Sequence, residues 1–233
     1  MHNELSIIKV CGMRDANNIR EIEQLGKEFS IPNSQFSIPN SQFPILNSQF
    51  SIALGFIFWP KSSRYVSKRP EYLPTACKRV GVFVDEDIEQ VKRIADEYKL
   101  DYIQLHGYES IDYCAELNGY SIIKAFNIAT PDDLAQTEVY EGNVDYFLFD
   151  TKGKQVGGNG QKFDWRVLNA YAGTTPFLLS GGIGPDDAER VRAFRHPKCV
   201  GIDLNSRFEL APGVKDAIAL RHFITKLTRK SYE

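Results

Sequence analysis

Ile7-Ile8-Lys9-Val10-Cys11-Gly12 is the stretch on which the reading of this chain turns. It is a short, mostly apolar run that ends in a thiol, with a glycine and then a helical pattern straight after it. Near-continuous apolarity over so few residues is the mark of a strand in a parallel sheet covered on both faces. The run Tyr146-Phe147-Leu148-Phe149-Asp150 repeats the design with a carboxylic acid at its end. A thiol and an acid at the C-terminal tips of two strands meet only if those strands lie parallel around one site.

The same alternation extends along the chain. After the first run, Asp15 suits a helix N-cap, Ile19, Ile22 and Leu25 recur at helical spacing, and Gly26 reads as the stop. Further apolar runs span Ile52 to Phe58, Arg79 to Val84, Asp101 to Leu105, Ser121 to Phe126, Pro176 to Ser180 and Cys199 to Leu204. A helix opens near Asp85 or Asp87, with Ile88, Val91, Ile94 and Tyr98 on one face. Others carry Ile111, Cys114, Ala115 and Leu117, run from Pro131 to about Tyr140, or start around Asp164-Trp165. Pro185 suits a first helical position, and a last helix runs from about Val214 to Lys226. Pro70 and Pro74 leave room only for a short or irregular helix between Ser67 and Lys78. Eight strand–helix units in 233 residues indicate one α/β domain over 1–233, a (βα)8 TIM barrel. An open doubly wound sheet usually has fewer units and a first-turn glycine motif, which is absent after Cys11.

One segment breaks the alternation. Phe29-Ser-Ile-Pro-Asn-Ser-Gln35 recurs as Phe36 to Gln42 and imperfectly as Phe43 to Gln49, and a fourth copy begins at Phe50. Pro32, Pro39 and Pro44 exclude a continuous coiled-coil helix, and the unit is too short for a solenoid repeat. Residues 29–50 therefore read as a flexible, tandemly repeated insert between helix one and strand two. In a barrel that connection lies on the face away from the strand tips, where an insertion is tolerated. Its phenylalanines leave a docking role open.

Composition narrows the classes. The chain is 42% hydrophobic and 25% charged, as expected of a globular protein with a full core. A net charge of −2 gives no global field for nucleic acid or an anionic membrane, so an anionic ligand has to be held by local features. The longest apolar stretch, Ile52 to Trp59, is too short to span a bilayer. Cys11, Cys77, Cys114 and Cys199 show neither a CxxC pair nor zinc spacing, and no secretory leader precedes Cys11. The expected setting is a reducing cytoplasm with free thiols.

At the strand tips the barrel collects Cys11, Arg64 slightly beyond strand two, His106, Asp150, Gly181-Gly182, and Asp203 with Asn205-Ser206. The loops after strands seven and eight of such barrels commonly bind phosphate, and glycine turns with helix N-termini offer backbone N–H groups for it. A tight connection is the plainer reading of Gly181-Gly182. Cys11 alone also reads as a small buried hydrophobe, and Asp150 alone as a cap or ion-pair partner. Together, at the tips of strands one and six, they suggest an acid and a base flanking a substrate. His106 competes as base, since imidazole titrates near neutrality, and also reads as a hydrogen-bonded structural histidine.

These residues fall into motifs. Lys9-Val10-Cys11-Gly12-Met13, Gly55-Phe56-Ile57-Phe58, Ser63-Arg64-Tyr65-Val66 and Val80-Gly81-Val82-Phe83-Val84 come first. Gln104-Leu105-His106-Gly107, Phe149-Asp150-Thr151, Gly157-Gly158-Asn159-Gly160, Phe163-Asp164-Trp165, Ser180-Gly181-Gly182-Ile183 and Gly201-Ile202-Asp203 follow in order. The chain resembles the phosphoribosylanthranilate isomerases of tryptophan biosynthesis over essentially everything except the insert. The resemblance implies a cofactor-free, metal-free (βα)8 enzyme that performs an Amadori aldose–ketose rearrangement on a small phosphorylated substrate, as a monomer or homodimer. It implies Cys11 as general base, Asp150 as general acid and Arg64 as holder of the anthranilate carboxylate. Gly158, Gly160, Gly181, Gly182, Asn205 and Ser206 are implied around the phosphate, with His106 and Asp203 also at the substrate. Local charge is expected to lower the Cys11 pKa, and partial burial to raise that of Asp150. Arg207 stands where many relatives have glycine, either adding charge to the phosphate site or facing solvent. The alternatives are another phosphosugar isomerase or epimerase barrel, or a non-catalytic barrel that docks a partner through the insert.

Overall fold

Eight parallel strands close on themselves in chain order. They are β1 (Ile7–Cys11), β2 (Ser51–Ile57), β3 (Lys78–Phe83), β4 (Tyr102–Leu105), β5 (Ser121–Ile128), β6 (Tyr146–Thr151), β7 (Phe177–Leu179) and β8 (Cys199–Leu204). The computed structural model describes residues 5–30, 50–151 and 164–228. The barrel is closed by β8 lying parallel to β1, in a register that sets Lys9 opposite Asp203. The helices are α1 (Ala16–Ser30), α2 (Ile88–Tyr98), α3 (Ile111–Glu116), α4 (Ala188–Ala193) and α5 (Ala217–Thr228). Residues Pro131–Tyr140, Trp165–Ala170 and Ser206–Phe208 form tighter 3-10 turns.

Side chains alternate across each strand, so one sequence serves two cores. Outward residues such as Ile8, Val10, Leu54, Phe56, Phe147 and Phe149 pack with Ile19, Ile22, Val91 and Phe223 of the surrounding helices. Inward residues Ala53, Val80, Ile123, Ala125, Leu148 and Leu178 fill the barrel, and Cys11, Ile57 and Val82 form a separate inner cluster. Fully burying one large aliphatic or aromatic side chain stabilises by roughly 1.5–3 kcal/mol, which is why both faces of these strands read as apolar.

The expected barrel is present, with local corrections. Asp15 caps α1, its Oδ1 accepting from the Asn18 N–H at 2.8 Å. Gly26, however, does not stop that helix, which runs on to Ser30. A Cβ at Gly26 would sit 2.9 Å from Cys77 Sγ and 3.2 Å from Ile52 Cβ, so the glycine serves close approach of helix to strand. Asp87 caps α2, accepting from the N–H groups of Glu89 and Gln90. No helix forms between β2 and β3. Pro185 is not a first helical residue, because α4 begins only at Ala188. The last helix starts at Ala217 rather than Val214, since Val214–Lys215 (β10) pairs antiparallel with Glu209–Ala211 (β9). The expected insert at 29–50 lies mostly outside the described residues. Its first two positions still belong to α1, and Phe50 is buried ahead of β2.

Candidate active site

The C-terminal strand ends leave a cavity of about 200 Å³ at the mouth of the barrel. Cys11 and Asp150 both line it, together with His106, Gly181, Gly182, Asp203, Asn205 and Ser206. Most of the residues expected at the site are therefore brought to one place. Gly158 and Gly160 lie outside the described residues. Arg64 is the exception among those described, standing at the rim rather than in the lining. Its Cδ lies 2.7 Å from where a Cβ on Gly12 would sit, and Asn205 Oδ1 lies 3.1 Å from the same point.

Cys11 is 4% exposed, and the strand that carries it also brings Lys9 beneath it on the same inward face. Gly55, opposite Cys11 in β2, makes room for both. A Cβ there would meet Cys11 Sγ at 2.9 Å and Lys9 Cε at 3.3 Å. Lys9 is fully buried and donates to Asp203 Oδ1 at 2.8 Å, while Ser180 Oγ donates to the other oxygen at 3.3 Å. Burial alone would lower the lysine pKa, but the Asp203 carboxylate more than reverses this and keeps the ammonium charged. The expected lowering of the Cys11 pKa is not found. Burial pushes the thiol up, and the nearby charge of Lys9 opposes this only in part. Desolvation wins because the sulfur is sealed beneath the mouth.

On the far side, His106 Nε2 lies 3.8 Å from Asp150 Oδ2. Gln104, 1% exposed, donates through its amide Nε2 to His106 Nδ1 at 2.8 Å, which leaves the ring proton on Nε2, towards Asp150. Burial lowers the imidazole pKa despite the Asp150 charge, so the ring is neutral near pH 7. His106 therefore stands with the acid. Gln104 also lines the cavity, and its buried Oε1 has no hydrogen-bond partner among the described residues.

The glycine turn after β7 places Gly181 and Gly182 at φ +90° and +69°, a left-handed backbone that suits glycine. The helix that follows starts only at Ala188, so the cavity is lined here by the glycine turn rather than by a helix end. After β8, the Ser206–Phe208 turn is pinned by Phe208, which is fully buried against Phe223.

Beyond that turn, β9 and β10 carry a charge cluster that sequence reasoning missed. Glu209 accepts from Arg64 Nε (2.8 Å) and Nη2 (2.6 Å), from Lys215 Nζ (2.6 Å) and from the Gly213 N–H (3.1 Å). Burial would raise its pKa, but these donors hold it down at about 2, so the carboxylate stays ionised. Lys215 also donates to Asn205 Oδ1 at 2.8 Å, tying the hairpin to the cavity lining. The signal that could have found Lys9 is its place in the sequence, a lysine within a strand buried on both faces that needs a partner. Glu209 and Lys215 carried no such signal, because nothing local marks the short hairpin.

Comparison with known proteins bears on this arrangement. A family model described as N-(5'phosphoribosyl)anthranilate (PRA) isomerase matches residues 44–226. An N-(5'-phosphoribosyl)anthranilate isomerase of Parabacteroides distasonis is 47% identical, over 97% of this chain and 96% of the relative. One from Phocaeicola vulgatus is 46% identical, over 96% and 98%. The crystal structure of phosphoribosyl anthranilate isomerase from Thermotoga maritima superposes with a TM-score of 0.72 at 26% identity, covering 96% of this chain and 98% of that one.

Proposed function

The chain belongs to the N-(5'-phosphoribosyl)anthranilate isomerase family, and from that premise we propose that Cys11 and Asp150 are the base and the acid of its reaction. The enzyme converts N-(5-phosphoribosyl)anthranilate to 1-(2-carboxyphenylamino)-1-deoxyribulose 5-phosphate, an aldose–ketose isomerisation in tryptophan biosynthesis. The observation that carries the assignment is that a thiol and a carboxyl group line one cavity together with the turns after β7 and β8.

The chemistry divides between the two walls. Asp150, protonated, gives its proton to the furanose ring oxygen as the C1–O bond breaks and the aryl nitrogen forms an iminium. That cation acidifies the hydrogen on sugar C2. Cys11, as thiolate, removes it, and the resulting enolamine tautomerises to the ketone. Burial disfavours the thiolate in the free protein, whereas Lys9 beneath the sulfur favours it. The iminium adds a second positive charge at the moment the base is needed. Asp203, oriented by Lys9 and Ser180, and the unpartnered Gln104 Oε1 are acceptors for ribose hydroxyls.

Arg64 suits the anthranilate carboxylate. Glu209 takes its Nε–Nη2 side, which fixes the guanidinium plane and leaves the Nη1–Nη2 edge, where among the described residues only Ser63 Oγ accepts, at 3.4 Å, for a second planar anion. Gly181, Gly182, Asn205 and Ser206 surround the phosphate; Gly158 and Gly160, which the resemblance assigns to the same group, lie outside the described residues. A cytoplasmic setting is supported by four buried cysteines that form no disulfide. Among the described residues no helix is long and apolar enough to cross a membrane. The test is turnover by the Cys11→Ala protein, followed by loss of substrate fluorescence. The expected loss is roughly 10²–10⁴-fold in kcat with folding unchanged; wild-type turnover would remove Cys11 from the mechanism.

A further inference from the structure

The cavity has a charge problem. A sugar phosphate brings about −1.5 to −2 units of charge at neutral pH. Yet among the described residues the lining contains two carboxylic acids, Asp150 and Asp203, and neither lysine nor arginine. Among the described residues, the nearby cations Lys9, Arg64 and Lys215 are already engaged, Lys9 by Asp203 and the other two by Glu209. Backbone N–H groups can orient a phosphate, but they cannot neutralise it.

Arg207 is placed to do so. It sits in the turn directly after Asn205-Ser206, between cavity-lining residues and the buried anchor Phe208. Its stem crosses the glycine turn after β7: Cδ lies 3.0 Å from where a Cβ on Gly184 would be, and Nε 3.9 Å from the corresponding point on Gly182. Gly184 therefore leaves room for the stem, while Gly182 shapes the turn and would meet the side chain only in ordinary contact. Arg207 forms no hydrogen bond or ion pair among the described residues, unlike the three cations named above. We infer that Arg207 is a phosphate-binding residue of this enzyme, closing over the substrate's 5-phosphate from the loop after β8 while Gly181 and Gly182 hold it from the loop after β7. A guanidinium suits that task because its fork matches two phosphate oxygens. The inference rests on the reading that these loops hold the phosphate.

The experiment compares wild type with Arg207→Gln and Arg207→Lys, using steady-state kinetics and inhibition by inorganic phosphate across a salt series. In Arg207→Gln, KM and the phosphate inhibition constant are expected to rise together, roughly five- to tenfold, with kcat within about twofold. Arg207→Lys recovers part of the loss, because a point charge replaces the fork. The salt dependence of KM flattens in Arg207→Gln. Unchanged KM and unchanged phosphate inhibition in Arg207→Gln overturn the inference while leaving the phosphate site where it is. A fall in kcat at constant KM also overturns it, by making the role one other than phosphate binding. If inorganic phosphate does not compete with substrate in the wild type, the underlying reading of these loops fails, and Arg207 falls with it.

Discussion

At the scale of single residues, the buried Lys9–Asp203 pair is the feature on which the base depends. Removing one partner of a buried pair leaves a naked charge, so Lys9→Met is expected to destabilise by about 3–5 kcal/mol, measured by denaturant unfolding. It also withdraws the positive charge beneath Cys11. Burial already holds the Cys11 pKa above its ordinary value of 9.0. A base works only when deprotonated, so kcat/KM should climb with pH beyond that value, and the climb should move further upward in Lys9→Met. A pH–rate profile in the two proteins checks this; a limb centred at or below the ordinary thiol value contradicts it. Cys11 and Asp150 were legible because each ends an apolar run, and a strand tip is where a barrel exposes chemistry. The raised thiol pKa was not legible, since it follows from how deeply the sulfur is sealed. Nor was the pairing of Lys9 with a residue 194 positions away.

At the scale of elements, the strands were read to within a residue or two because their apolar runs are continuous. The misreadings share a cause. Local propensity reads Gly26 as a stop and Val214 as a helix start, whereas tertiary contacts decide both. Gly26 stays helical because Cys77 and Ile52 press on it, and Val214–Lys215 leaves the helix to pair with β9. Two predictions belong here. The described flanks of the repeat segment are the C-terminal end of α1 and the start of β2, on the face away from the cavity. Replacing residues 31–49 by a short Gly-Ser linker should therefore leave kcat and KM within about twofold; a tenfold loss would make the segment part of the working enzyme. Glu141 ties the turn Pro131–Tyr140 to the segment before β7 by accepting from Tyr171, Thr174 and Thr175. Burial would raise its pKa, but these donors bring it down to about 2 from 4.5. A lowered carboxyl pKa means stability that is present above pH 4.5 and lost as pH falls towards 2. Glu141→Gln should flatten acid unfolding within that window, as followed by circular dichroism; an unchanged acid profile would remove Glu141 from the account.

At the scale of the molecule, closing eight strands into a ring converts distance along the chain into proximity. Residues 11, 106, 150, 181 and 203 come from five different strand ends and line one cavity. The sequence displayed that convergence through the spacing of its apolar runs, and the motifs around them named the chemistry. It did not display the charge ledger of the mouth, in which, among the described residues, Lys9, Arg64 and Lys215 are bound to carboxylates and Arg207 is not, because that ledger exists only once the ring has closed. The division of labour across the mouth is the claim on which the rest stands, and the carboxyl side is the more exposed to test. The decisive measurement is kcat for Asp150→Asn, beside the dissociation constant of a product analogue. Ring opening without a proton donor should lower kcat roughly 10²–10⁴-fold while analogue affinity and thermal stability stay near wild type. Asp150→Asn protein that turns over at the wild-type rate would contradict the account.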